Sequence, residues 1–393
     1  MKLSCAVIFC LFILSLDTTF SSIVGDQGQL EKHSSVNCVY NHDCYAAGAA
    51  ASWADQIHSL PARDQFIRMY VLSEDDGSSP VISEDMTNKQ ISTLNSYMKS
   101  VGVSFVHESI LVKNSSLRHR YALPFCDFSL VGNGVCDSYC NVSVTNYDGG
   151  DCFPEISNNT DCLPGVCSEV CNIAQFNWDS GECCKSDEVA EQHCRDPTSD
   201  LKVYYEPDRI KDLVSPLHEN SWNIYSIQYA NCSWCGAIST LPTAFDASDP
   251  HKQGTIYNSQ LMVEGKDFAY LVGVHEAGHT FGLLHPFTYA EMGTNCEDPC
   301  FDGVQYPVDE MGTEDIGDLI SDTRPMTITY DCSDPGGLDC AGQPWTDTPY
   351  RNIMTFGYLT TGCVSVDSAW TEMQRGRMRC FVESTYSNWT LFY

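Results

Sequence analysis

The chain has 393 residues, enough for two or three domains or for one large domain carrying an insertion. Its hydrophobic content of 43% can fill a real core. A formal net charge of −31 argues against nucleic acid and anionic membrane as partners, because both repel an acidic surface. Acidic side chains are also the hard-oxygen ligands that calcium prefers, although they serve equally well as a solvated surface.

Residues 1–22 read as a secretory signal. Lys2 supplies the charged start, "CAVIFCLFILSL" the apolar middle and "TTFSS" the small residues for cleavage. That apolar run is short for a bilayer and no later run is long enough, so a secreted mature chain without a membrane span is expected. Two of the 22 cysteines, Cys5 and Cys10, lie in the signal, and the even number that remains implies disulfides in an exported chain. Sequons at Asn114, Asn141, Asn158, Asn231 and Asn388 fit a glycosylated, extracellular protein.

Residues 23–63 show no clear period. "AAGAAASWA" is small and weakly helical, and "LPAR", ending at Arg63, is a plausible processing site, so the segment is either a propeptide or a plain N-terminal extension. From Gln65 the pattern sharpens. "FIRMYVLS" alternates as a strand does. Ser83 can cap a helix carrying Ile91, Leu94 and Met98 on one face and ending at Gly102. "VSFVHESILV" is a second strand, and strand, helix, strand indicates an α/β sheet over residues 64–125.

Residues 126–196 break this pattern, being rich in Cys, Asn, Asp and Gly and poor in apolar periodicity. They contain a repeat. Cys126, Cys136, Cys140 and Cys152 are followed by Cys162, Cys167, Cys171 and Cys183, and both copies share C-x3-C-N and a D-x-G-(D/E)-C ending. A segment this short, without a core, needs disulfides, metal or both.

The α/β pattern resumes over residues 197–393. "LKVYYEP", "WNIYSIQYA" and "GTIYNSQLM" read as strands, "KDFAYLVGVHEAGHTFG" as a buried helix and "AWTEMQRGRMRCFVESTY" as a closing amphipathic helix.

Within the buried helix stands "HEAGHTFGLLH". His275 and His279, four apart, lie on one helix face and can reach one metal ion. Glu276 sits beside that ion rather than on it, the place of a general base. Gly282 can take the positive φ that ends the helix and swings His285 back as a third ligand. A bare HExxH arises by chance in roughly 2% of such chains, but adding the glycine and third histidine drops this below about 1 in 10,000. Three histidines leave a fourth zinc position open, the arrangement of catalytic zinc. Zinc and Glu276 together can activate water for attack on a carbonyl and return its proton to the departing amine.

HExxHxxGxxH resembles the metzincin metalloproteases, and "RNIMTFG" resembles their methionine turn, with Met354 as an apolar support. Within that clan the chain resembles the pappalysins from about Gln65 to its end, apart from the cysteine-rich insert. "HTFGLLHPF" is similar to their zinc helix, "GDLISDTRP" to a G-D-x-x-x-D-T-P stretch, "NIMTFG" to an N-x-M-D-Y turn and "EMQRGRMR" to their closing helix. "ISTLNSYMKSVGVSF" is similar to their first helix and second strand. The insert resembles two Notch-type calcium-binding repeats, the second more divergent.

The resemblance implies a metzincin α/β (α+β) domain with a twisted mixed sheet, interrupted by two such repeats. It implies calcium on Asn133, Asp148 and Asp151, and a second calcium on Asp179 and Glu182, where Pro164 replaces the counterpart of Asn133. It implies the pairs Cys126–Cys140, Cys136–Cys152, Cys162–Cys171 and Cys167–Cys183, with Cys332–Cys363 and Cys340 bonded to Cys296 or Cys300 downstream. Asp318 and Asp322 fall on a calcium-associated stretch, although Arg324 interrupts the D-T-P match and both acids can equally be solvated. Where relatives often carry an oxyanion-stabilising tyrosine this chain has Phe356, and Tyr358 is the nearby substitute.

For latency, one thiolate of Cys38 or Cys44 could fill the open zinc position, but the even cysteine count favours a Cys38–Cys44 disulfide. The expected activity is zinc-dependent hydrolysis of peptide bonds in extracellular proteins or peptides, growth-factor-binding proteins among them. The rival readings are a non-catalytic calcium- and zinc-binding recognition protein and a zinc hydrolase of small esters or amides.

Overall fold

The computed structural model describes residues 42–46, 48–123, 126–152, 165–214, 220–230, 236–242, 254–287, 318–324, 326, 328–336 and 347–390. Its frame is a seven-stranded mixed sheet. β1 (Arg63–Ser73) pairs in parallel with β2 (Val103–Lys113) on one side and with β5 (Trp222–Tyr229) on the other. The two-residue strands β3 (Tyr121–Ala122) and β4 (Tyr204–Tyr205) extend the sheet from the far end of β5. β7 (Thr255–Asn258) also runs parallel to β5, and β6 (Ala237–Ser239) closes that side as the one antiparallel strand among those described.

β1 was expected to alternate, yet from Met69 to Ser73 every residue is buried. A parallel strand with neighbours on both sides and covered faces has no solvent side to alternate with. "GTIYNSQLM" is only half strand. Asn258 accepts a hydrogen bond from the Gln260 amide and caps a short helix, Ser259–Val263, so the chain turns where a longer strand was expected.

The helices begin where the sequence places their caps. Ser83 accepts from the Met86 amide to start α2 (Glu84–Met98), and Gly102, at φ 72°, ends the short turn behind it. Further helices are α1 (Ala49–Gln56), α3 (Ala269–Thr280) and α4 (Glu372–Ser384). Thr371 and Gln374 form a capping box at the start of α4. α4 is less amphipathic than expected, with Gly376 through Val382 all buried. Its two buried arginines are held through their terminal nitrogens: Arg377 donates to the Asp318 and Leu319 carbonyls, and Arg379 to the Gly102 and Pro61 carbonyls and to Glu383. Aromatic rings run from sheet to helix through Phe105, Trp222 and Phe281, their centroids 5.7–6.2 Å apart.

The N-terminal segment docks on α4, and here the expected cysteine pairing is corrected. Cys44 bonds Cys380, not Cys38, which lies outside the described residues. α1 crosses α4 at Gly376, where a Cβ would collide with the Ala50 carbonyl, and this close approach brings Cys44 onto the helix. Cys44 is therefore not available as a thiolate for a metal. Arg63 opens β1 and forms a bidentate pair with Glu383 (2.9 and 2.6 Å).

The insert folds as two similar units. Cys126–Cys140, Cys136–Cys152 and Cys167–Cys183 are bonded as the resemblance implied. Cys171 is disulfide-bonded too, and its expected partner Cys162 lies outside the described residues. Cys184–Cys194 is an additional bridge. Each unit holds five consecutive left-handed residues, Asn146–Gly150 and Asn177–Gly181. The units touch, with Asn146 donating to the Asn172 carbonyl and Trp178 sharing a core with Val131 and Val144. Phe128 packs edge-on against Tyr204, tying the module to the end of the sheet. Cys332–Cys363 is also formed, whereas Cys296, Cys300 and Cys340 lie outside the described residues.

Candidate metal centre

α3 carries His275, Glu276 and His279, all buried. The helix stops as the glycine demands: Gly282 takes φ 88°, the Leu283 amide bonds back to the Gly278 carbonyl at 2.8 Å, and the chain reverses. A Cβ on Gly282 would overlap the Phe381 ring, so this position needs glycine for space as well as for φ. The reversal delivers His285.

The three Nε2 atoms form a near-equilateral triangle, with edges of 3.0 Å (His275–His285), 3.1 Å (His275–His279) and 3.1 Å (His279–His285). His275 Nδ1 faces the Ile353 carbonyl at 2.7 Å, and His279 Nδ1 faces the Leu283 carbonyl at 2.8 Å. A carbonyl only accepts, so both Nδ1 atoms carry hydrogen and both Nε2 lone pairs point inward. Converging lone pairs repel unless a cation lies between them. Burial pushes His279 down to about 4 and His275 and His285 well below the usual imidazole range, keeping all three neutral, as metal ligands must be. A tetrahedral zinc with Zn–N distances of about 2.0–2.1 Å separates its nitrogens by roughly 3.3–3.4 Å, so the triangle fits zinc after a small relaxation. Among the described residues this is the single cluster of three or more His, Cys, Asp or Glu side chains close enough to share an ion.

The Ser239 hydroxyl and backbone amide favour the charged form of Glu276 against its burial, while its Oε2 is buried without a hydrogen-bond partner. Burial pushes its carboxyl up to about 8. Met354 lies beneath the helix, fully buried, and Gly278, between the two helical histidines, leaves the space its sulfur occupies. Phe356 presents only ring surface, 5.4 Å from the His285 ring and 5.9 Å from that of His275. The Tyr358 ring is 5.1 Å from that of His275.

Other expected site residues lie elsewhere. Asp318 is buried, its carboxyl pushed up to about 7, and accepts from the Ile320 amide and Gln374 Nε2. Asp322 accepts from the Thr371 hydroxyl and the Met373 amide, so the two acids organise the start of α4. In the first repeat Asp148 accepts from the Asp137 amide through Oδ2, while its buried Oδ1 has no partner. Burial, with Asp137 and Asp151 nearby, pushes that carboxyl up. Asp151 accepts from the Gly134 amide and Asn133 from the Val135 amide. In the second repeat Asp179 accepts from the Ser168 amide, and Glu182 pairs with Lys185. Of the sequons, Asn114 caps a helical turn through its Oδ1, Asn141 and Asn388 are exposed, and Asn158 and Asn231 lie outside the described residues. No described helix is long and apolar enough to cross a membrane. The proximity of Ser239 to Glu276 has no signal in the sequence, because nothing local marks a serine 37 positions before the glutamate.

Residues 123–153 match the family model of the Notch LNR domain. Human (Homo sapiens) Pappalysin-1 is 33% identical over 335 residues, covering 82% of this chain. Mouse (Mus musculus) Pappalysin-1 matches to the same extent. The matched stretch is 19% of either relative, so the chain spans only a small part of their length. Together with a mixed α/β fold of the metzincin protease type, these similarities mean that the chain belongs to the pappalysin family and carries LNR repeats.

Proposed function

We propose that this chain is a secreted zinc endopeptidase acting on extracellular proteins or peptides. The observation that carries the reading is the convergence of three neutral, buried Nε2 atoms beside a buried carboxylate with one oxygen unengaged. His275, His279 and His285 would hold the ion, and zinc, when bound, supplies Lewis acidity toward water and the scissile carbonyl. Glu276 Oε2 takes the proton from the attacking water and delivers it to the departing amine nitrogen. Met354 and Gly278 hold the helix that presents these groups. In the first repeat, Asn133, Asp148 and Asp151 would hold calcium, a role supported by the buried, unpartnered Asp148 Oδ1. The disulfides and the sequons at Asn114, Asn141 and Asn388 support an extracellular setting.

The test incubates the purified protein with a proteome-derived peptide library, with and without a zinc chelator, beside Glu276→Gln. Chelator-sensitive cleavage that Glu276→Gln loses is expected. Zinc binding without any cleavage would instead favour a recognition protein, and turnover of small esters or amides alone would favour a non-peptide hydrolase.

A further inference from the structure

The methionine turn meets the histidine triangle through one peptide group. The Ile353 carbonyl accepts from His275 Nδ1 at 2.7 Å, and the Met354 amide, the other half of that peptide, donates to Asn352 Oδ1 at 2.9 Å. The series continues away from the histidines. Asn352 Nδ2 donates to Gln374 Oε1 of α4 at 2.7 Å, and Gln374 Nε2 donates to Asp318 Oδ2 at 3.0 Å. All of these residues are buried. The orientation of each amide is fixed by a backbone N–H, which only donates. Met354 makes Asn352 turn its oxygen inward and its nitrogen to Gln374. The Thr371 amide donates to Gln374 Oε1 at 3.1 Å and so turns the Gln374 nitrogen to Asp318. Every donor therefore points the same way, from imidazole toward carboxyl. The carboxyl itself is held, because Asp318 Oδ1 accepts from the Ile320 amide at 3.2 Å and Arg377 donates to the Asp318 carbonyl at 2.6 Å.

We infer that Asp318 is a positioning residue for His275, acting through Gln374, Asn352 and the Ile353–Met354 peptide, and that this relay fixes the imidazole with hydrogen on Nδ1 and strengthens its hold on the metal. Hydrogen bonds aligned in one direction polarise one another in a low-dielectric interior. A carboxyl partner on the outer nitrogen of a metal-bound histidine orients the ring and raises its basicity. Here the same partnership is stretched over two side-chain amides and one peptide, so that α4 and the methionine turn act on the centre together. The inference rests on the zinc reading above.

The experiment measures zinc affinity, by competition with a chromophoric chelator, and the denaturant midpoint of the zinc-free protein. The proteins are wild type, Gln374→Met, Asp318→Asn and the swap Asp318→Asn/Gln374→Glu. Gln374→Met keeps the bulk and cuts the relay, and is expected to weaken zinc binding about 10-fold, the low end of what losing an outer partner costs. Asp318→Asn sets an amide nitrogen against one of two N–H donors and is expected to weaken zinc binding in the same direction, which keeps the test open should Gln374→Met fail to fold. In the swap the new amide at 318 accepts from Ile320 and donates to the new carboxylate at 374, which still accepts from Asn352 and Thr371. The donors again run one way into a carboxylate, and zinc affinity is expected to return to near the wild-type value. Wild-type affinity in both Gln374→Met and Asp318→Asn overturns the inference, as does a loss that follows the zinc-free midpoint and that the swap does not restore. Wild type that binds no zinc overturns the zinc reading itself, so the two failures are distinguishable.

Discussion

Replacing Gly282 with alanine tests the step from a histidine-bearing helix to a three-histidine cup. The residue sits at φ 88°, where an L side chain costs about 1–2 kcal/mol. The new Cβ would overlap Cδ2 and Cε2 of Phe381, with Cζ at 3.1 Å, and overpacking of this kind adds about 1–3 kcal/mol. The sum is a loss of about 2–5 kcal/mol, read as a shift in the denaturant midpoint of the zinc-free protein. His285 lies three residues on, so the same change should weaken zinc binding about 10-fold or more, measured by chelator competition. A double-mutant cycle with Phe381→Leu separates the terms. Relief of the overlap gives a coupling of about 1–3 kcal/mol, and the φ cost remains. If Gly282→Ala unfolds within about 0.5 kcal/mol of wild type and binds zinc as tightly, the assigned role of the glycine is wrong.

Three further outcomes follow from other parts of the molecule. Removing the Cys44–Cys380 bridge with Cys44→Ala/Cys380→Ala should cost about 2–5 kcal/mol of stability. In the wild type a tryptic cut after Arg63 should release the N-terminal fragment only on reduction, and release on a non-reducing gel would refute the bridge. The Arg63 guanidinium, with Arg379 beside it, holds the Glu383 carboxyl below the usual range. Its contribution is therefore full above the unfolded glutamate pKa of about 4.3 and is lost as pH falls through the lower folded value. Glu383→Gln should flatten the acid limb of the stability–pH curve and leave its shape near neutrality unchanged; an unaltered acid limb would contradict this. Calcium should raise the melting temperature of the wild type and not that of Asp148→Ala, and an equal rise in both would remove Asp148 from the calcium site.

The histidine triangle was legible because its parts are local. Two histidines one helical turn apart, a glycine that ends the helix and a third histidine three residues on all fall within residues 275–285, so helix geometry decides their meeting. The cap at Ser83 was readable for the same reason, whereas the pairs Cys126–Cys140, Cys136–Cys152 and Cys167–Cys183 came from the resemblance to Notch-type repeats, because spacing alone does not fix a pairing. What escaped depends on contacts that sequence distance hides. Cys44–Cys380 spans 336 residues and follows from two helices crossing at Gly376. Asn352 and Gln374 are ordinary polar residues until α4 packs on the methionine turn and joins their amides.

In the proposed centre three imidazoles hold zinc with no further ligand from the described residues, and zinc-edge X-ray absorption on the purified protein reads this directly. The expected spectrum is one zinc per chain with three imidazole nitrogens and one oxygen at about 2.0–2.1 Å, unchanged in Glu276→Gln although that variant cleaves nothing. Sulfur at about 2.3 Å, or a zinc content that survives replacement of His285, would contradict it.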